Sequence, residues 1–377
     1  MKPKSIDIIT YGLMQAKRVN YKRGYSTIMK RMIRNNPIDN SLFNKEIEQA
    51  YRNKWSPISR NAPLDSFKVY STIHNKIDLN YVSDYLYAFL IKSILTDERY
   101  NAYYSDKNSY ETRLLNYYHL FPKVLFRKIN GVFYDVEYNY ITNIELFVKK
   151  INNEKIVIKE STCTAGGKGV LFFSKENTQN LYVTNNNYTI KQLFKKQNNF
   201  IVQEKLNQSQ DMAQLNKTSI NTVRVVTYRS VVDNKVKVLQ SLVRKGDNNS
   251  FVDNWHSGGS IISINKIGKI SNYGYNYNFE KVYHNVIDFI IPKLDVMYEL
   301  AKEIAEKEFY HRTLSFDFCL DNENNVKIIE INYGVSSWFQ ITCGSLFGEY
   351  TDEVIDYCKH SSGYLSFNSP FSLNRYR

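Results

Sequence analysis

The chain has 377 residues, 43% of them hydrophobic, with 50 Lys and Arg against 37 Asp and Glu for a net charge of +13. That length and apolar content suffice for a sizeable core spread over two or three lobes. No apolar run approaches ~18 residues and MKPKSIDIITYGLMQ contains no secretory h-region, which points away from a membrane span or a leader and toward the cytoplasm. The four cysteines, Cys163, Cys319, Cys343 and Cys358, show neither CxxC pairing nor zinc spacing and read as reduced thiols.

The positive charge is concentrated at the N-terminus: residues 1–60 hold 13 Lys and Arg against 4 Asp and Glu. Between residues 16 and 36 basic pairs repeat at Lys17-Arg18, Lys22-Arg23 and Lys30-Arg31. Such a pattern attracts phosphate, uronate or anionic lipid headgroups, and a solvated basic helix presents the same pattern without a partner. No nucleic-acid-binding motif accompanies it, so no specific nucleic acid is expected. Residues 1–104 form a helical, basic accessory region in this reading: LFNKEIEQAYRNKW and VSDYLYAFLIKSILTDERYN repeat apolar residues at helical spacing on either side of a loop from Pro57 to Pro63.

Residues 105–202 read as a smaller lobe, containing the helical DKNSYETRLL, the hairpin-like FPKVLFRKINGVFYD and the strand IVIKE with Lys159 near its end. That strand runs into a loop with Gly166, Gly167, Lys168 and Gly169. Glycines allow backbone N–H groups to converge on anionic oxygens, and the two lysines add positive charge, so the loop can wrap phosphates. It is neither a Walker A motif nor GxGxxG, and an ordinary flexible turn has a similar composition.

Residues 203–377 read as a larger lobe, with strands NTVRVVTYRSVV and KVKVLQSLVRK, a helix over VMYELAKEIAEKEF and a β-hairpin over TLSFDFCLDNENNVKIIEIN. Alternation along the second hairpin strand puts Glu330 and Asn332 on one face, where Asp317 from the neighbouring strand completes a set of oxygen ligands. Two carboxylates on facing strands repel unless a cation or a shared proton lies between them, and Mg²⁺ accepts such a set together with water and substrate phosphates. On this argument, neutralising either carboxylate leaves the empty protein no less stable. A solvated acidic hairpin fits the segment equally well. The Ser- and Asn-rich tail after residue 360 reads as irregular.

The order of these features resembles the ATP-grasp superfamily over roughly residues 105–345. The resemblance implies an α+β fold of two lobes gripping ATP, with Lys107 of the Asp-Lys helix start and Lys159 on the nucleotide phosphates beneath the flap of Gly166, Gly167 and Lys168. FIVQEKL, carrying Gln203, Glu204, Lys205 and Leu206, resembles the inter-lobe strand that holds adenine, and Arg224 of NTVRVVT resembles the arginine facing the transferred phosphoryl group. Asp317, Glu330 and Asn332 take the place of the Mg²⁺ ligands. RKGDNNSFVDNWHSGG further resembles a segment of peptide-forming members, most closely the sugar-transfer-associated branch, which puts Arg244, Asn254 and His256 beside the phosphates and the acceptor. The implied activity is an ATP-dependent carboxylate–amine ligase acting through an acyl phosphate in surface-polysaccharide (capsule) assembly, with ATP, a small carboxylate and an amine as substrates. Phosphoryl transfer to a hydroxyl and a nucleotide-binding interaction role are the alternatives. The basic N-terminus would add contact with an anionic glycan precursor or the inner face of a membrane.

Overall fold

The computed structural model describes residues 22–97, 99–162, 169–176, 181–184, 188–247 and 258–361. Cys163, Gly166, Gly167, Lys168, Asn254 and His256 lie outside them, as do Lys17 and Arg18.

Two antiparallel sheets organise the chain. The first contains β1 (Val124–Ile129), β2 (Val132–Tyr134), β3 (Lys155–Glu160), β4 (Val170–Glu176), β5 (Leu181–Val183) and β6 (Phe200–Glu204), in the spatial order β2-β1-β6-β3-β4-β5. Asn130 (φ 49°) and Gly131 (φ 86°) supply the two left-handed residues that a two-residue hairpin turn between β1 and β2 requires. Alternation then sorts this sheet. Ile156, Ile158, Phe173, Phe200 and Val202 share a core with the helices Ile144–Lys149 and Ile190–Lys196, while Arg127, Lys159 and their cross-strand partner Ile201 lie on the opposite face.

The second sheet has seven strands: β7 (Thr222–Arg229), β8 (Val236–Lys245), β9 (Ser260–Ser263), β10 (Tyr273–Asn276), β11 (Lys281–Tyr283), β12 (Thr313–Leu320) and β13 (Val326–Tyr333), ordered β11-β10-β9-β8-β7-β12-β13. The expected hairpin is β12 and β13, with Asp317 directly opposite Glu330. Val223, Val225, Phe316 and Phe318 pack under the helix Leu294–Ala305, whose Met297, Ala301 and Ile304 are fully buried. Val226, Tyr228, Leu242 and Ile261 project from the other face into a second core.

That second core is built with the N-terminal helices. Lys45–Trp55 starts at Asn44, whose side chain accepts the Ile47 N–H at 2.8 Å, carries Glu46 and Glu48 in its first turn and ends on Arg52 and Lys54, so both ends suit the helix dipole. Its Tyr51 and Trp55, with Phe67 and Tyr70 of the helix Asp65–Ile73, are wholly buried in the same cluster as Val226 and Tyr228. The region read as accessory therefore shares a core with the seven-stranded sheet. Its basic helix, residues 22–35, exposes Lys22, Arg23 and Lys30 but lays Arg31 over the rings of Tyr277 and Phe279, at 4.5 and 5.4 Å to the ring centroids. Arg31, half-buried, thus packs on the turn that follows β10 and is not a freely exposed charge.

Asp84 sits deep in this helical layer. Its Oδ2 accepts from Ser66 Oγ (3.1 Å) and Tyr70 Oη (3.0 Å), and Tyr25 Oη meets the same serine at 3.0 Å. Burial pushes the carboxyl up to about 6 against the pull of these hydroxyls and of Ser337. A carboxylate with a raised native pKa makes the folded state bind the proton more tightly, so stability is greatest below the unfolded value and falls as pH rises toward the folded one. We expect wild type to lose about 3 kcal/mol from this group between pH ~4 and ~6, and Asp84→Asn to lack that loss. Urea unfolding of both proteins across that range, compared as a difference, is the measurement; parallel curves contradict it.

Candidate active site

The site forms where the middle of the hairpin β12–β13 faces Lys159 of the first sheet. β13 contains an irregularity that aims its side chains: the register with β12 shifts between Asp317 and Phe318, so Glu330 opposes Asp317 while Ile328 opposes Phe318 and Ile329 is the extra residue. Without that bulge Ile328 and Glu330 would share a face. With it, Ile328 and Ile331 both enter the core under the Leu294–Ala305 helix, and Glu330 and Asn332 turn together to the other side.

Asp317 is the electrostatic centre. Only 1% exposed, it receives Arg224 in a fork, Nε to Oδ1 at 2.6 Å and Nη2 to Oδ2 at 2.5 Å, and Arg244 Nη1 to Oδ2 at 2.8 Å. Arg224 is its cross-strand neighbour on β7, and Arg244 comes from the end of β8. Burial works to raise the Asp317 pKa, yet the two guanidiniums together hold it below the usual carboxylate range. The Asn332 amide lies 3.5 Å from the same Oδ2, and the ring of Phe339 sits 5.5 Å beneath the Arg224 guanidinium. Phe339 lies far along the chain in a short 3₁₀ turn, and no local pattern marks it.

Lys107 and Lys159 reach the same place from the other side. Asp106 caps the turn Lys107–Ser109 by accepting the Asn108 N–H at 3.0 Å, as the Asp-Lys helix start implies. The Lys107 ammonium then lies 3.0 Å from Glu330 Oε1, and its backbone N–H donates to Ser161 at the end of the β3 segment (2.8 Å). Lys159 Nζ is 3.5 Å from the carbonyl of the bulged Ile329. The neutralising charges around the two carboxylates are therefore the protein's own. This corrects the expectation that removing Asp317 leaves the empty protein no less stable: without it, two largely buried guanidiniums lose their counter-ion.

The expected adenine residues occupy the end of β6 and its exit. Gln203 is buried and donates to the Pro122 carbonyl at 3.2 Å, which makes it a support between β6 and the start of β1. Glu204 Oε1 accepts the Lys123 N–H at 3.1 Å and lines a cavity of about 320 Å³ with Glu111, Phe121, Arg127 and Lys327. Burial, with a smaller contribution from Lys155, lowers the pKa of Lys205. Leu206 follows in the chain where β6 has ended.

The donor set fits a hard cation: two carboxylates and an amide on one face of the paired strands β12 and β13, beside lysines suited to phosphate. Among the described residues no group of three or more His, Cys, Asp or Glu has metal-holding geometry, and the Asn332 amide is the further oxygen donor beside the two carboxylates. Asp317, Glu330 and Asn332 would hold Mg²⁺, with Arg224 and Arg244 sharing the Asp317 carboxylate. Four cationic groups, Lys107, Lys159, Arg224 and Arg244, surround two carboxylates, and this excess of positive charge suits a polyanion.

A sequence model of the family described as sugar-transfer associated ATP-grasp matches residues 93–354. No curated protein sequence matches the chain. Solved structures with similar backbones include N5-carboxyaminoimidazole synthetase from Staphylococcus aureus complexed with ADP, at 13% identity and TM-score 0.40 over 69% of this chain and 52% of that one. They also include the D-alanine–D-alanine ligase from Coxiella burnetii, at 10% identity and TM-score 0.34 over 68% and 58%. The chain spans about half the length of the first of these relatives.

The two carboxylates differ in what they hold. We expect Asp317→Asn to cost about 3 kcal/mol of stability by leaving Arg224 and Arg244 without their buried partner. Glu330, more open to solvent, pairs with one lysine, and Glu330→Gln is expected to cost less than about 1 kcal/mol. Denaturant titration of both variants ranks them, and equal losses contradict the assignment of Asp317 as the centre.

Proposed function

Because the chain belongs to the sugar-transfer associated ATP-grasp family, we propose that it is an ATP-dependent carboxylate–amine ligase acting on a sugar acid or amino-acid precursor in surface-polysaccharide assembly. The observation that carries this reading is the meeting of Lys107 and Lys159 with Glu330, Asp317, Arg224 and Arg244 at the middle of the hairpin. Positive charge aimed at phosphate and a hard-cation donor set are the two requirements of phosphoryl transfer by positioning and charge neutralisation.

In this reading Lys159 and Lys107 neutralise the nucleotide phosphates, and Glu204, Lys205 and Leu206 hold the base. Mg²⁺, when bound, neutralises and orients the β and γ phosphates. The substrate carboxylate attacks the γ phosphorus, ADP leaves, and an acyl phosphate forms. The amine then attacks the acyl carbon, phosphate leaves, and the amine proton passes to a base, a role open to His256. Arg224 and Arg244 stabilise the oxygens on which charge develops, and Asn254 holds the acyl group. Lys22, Arg23 and Lys30, exposed on the N-terminal helix, provide the contact with an anionic precursor or membrane surface. No helix among the described residues is long and apolar enough to cross a membrane.

Incubation with ATP, Mg²⁺ and panels of carboxylates and amines, read by mass spectrometry, tests the reaction. ADP together with an amide supports it; ADP together with a phosphorylated hydroxyl overturns it. Lys159→Ala and Lys107→Ala are each expected to weaken ATP binding about tenfold, or 1.4 kcal/mol. Isothermal titration measures this, and unchanged affinity in both variants removes the nucleotide assignment.

A further inference from the structure

The strand that carries Glu330 and Asn332 is the last in its sheet: β13 pairs with β12 on one side and, among the described residues, has no strand on the other. Ile331 lies between the two ligand positions. Edge strands expose a row of N–H and C=O groups, and here one side chain meets both groups of that residue. Tyr110 Oη donates to the Ile331 carbonyl at 3.2 Å and accepts the Ile331 N–H at 3.4 Å, closing a two-way contact like the one a neighbouring strand would make.

The hydroxyl is held firmly for this task. Tyr110 is 3% exposed, its ring packs 4.9 Å from that of Phe121, and burial raises its pKa well above the ordinary phenol value, so the donated proton stays on oxygen at physiological pH. It opens the short helix Tyr110–Arg113, directly after the turn that places Lys107 beside Glu330. One short stretch therefore supplies both the counter-charge of Glu330 and the backbone clamp next to it.

We propose that Tyr110 is a positioning residue, whose hydroxyl fixes the strand between Glu330 and Asn332 so that both side chains present their oxygens to one divalent cation. The proposal rests on the ligase reading only for the identity of the metal–nucleotide complex. Partners that orient metal ligands typically contribute 10–100-fold to metal affinity. A side chain that only fills the core would make no such contribution once its ring is kept.

The test is Mn²⁺ binding in the presence of ADP, followed by electron paramagnetic resonance, alongside melting temperature and amide exchange at Ile331. Wild type is measured first, and failure to bind Mn²⁺–ADP would remove the proposed function itself. Given wild-type binding, Tyr110→Phe is expected to weaken Mn²⁺ about tenfold and to speed Ile331 exchange. Leu114→Ala, which thins the packing just after the same helix and keeps the hydroxyl, is expected to lower the melting temperature with Mn²⁺ affinity within twofold. Wild-type Mn²⁺ affinity in Tyr110→Phe overturns the proposal, as does an equal loss of affinity in both variants. If Tyr110→Phe does not fold, a Leu114→Ala protein with tenfold weaker Mn²⁺ overturns it, and one with wild-type affinity supports it.

Discussion

The arrangement around Asp317 decides much of what the rest of the molecule can do. A carboxylate so buried is costly to ionise, and attraction to Arg224 and Arg244 offsets that cost only because the geometry is good: a fork from one side and a single donor from the other. The three side chains come from three adjacent strands, β12, β7 and β8, so the seven-stranded sheet has to be in register before the cluster can form. Once formed, it holds two guanidiniums rigidly at the mouth of the site, where flexible surface arginines would have to be ordered at each binding event.

The bulge at Ile329 is the second constraint. It changes which side of β13 faces the core midway along the strand, and the same irregularity frees a carbonyl that Lys159 approaches from the other sheet. A single extra residue thus sets both the direction of Glu330 and Asn332 and a contact between the two sheets. Lys107 adds another link, with its ammonium on the hairpin and its amide on Ser161. At these points the two sheets meet through charged side chains and backbone polar groups.

Much of this was legible in the sequence. The β12–β13 hairpin, the facing of Asp317 and Glu330 and a helix expected over residues 296–309, found at Leu294–Ala305, follow from local alternation and helical spacing, which act over a few residues, while the start at Asp106 came from the family resemblance. The bulge was written as the adjacent Ile328 and Ile329, but a doubled apolar residue also occurs in buried strands and carries no unique meaning. The neutralisation of Asp317 was invisible, because Arg224 and Arg244 lie 93 and 73 residues away and only the strand order brings them in. For the same reason the helical region before residue 105 read as an appendage: amphipathic spacing shows that a helix has a buried face and not what buries it. Arg31 reads as one of six basic charges, whereas its seat on Tyr277 and Phe279 depends on contacts hundreds of residues apart.

The shared core on the back of the seven-stranded sheet has an evolutionary consequence. The family match begins at residue 93, yet Tyr51, Trp55, Phe67 and Tyr70, all earlier in the chain, are wholly buried in one core with Val226, Tyr228 and the Phe347 ring that packs on Tyr228. A gene fusion or shuffling event that carried only the matched segment would leave part of this core, including Phe339, Ile341 and Phe347, without its apolar partners and prone to self-association. Substitutions in the N-terminal helices are constrained by apolar neighbours more than 150 residues further along the chain in the same core.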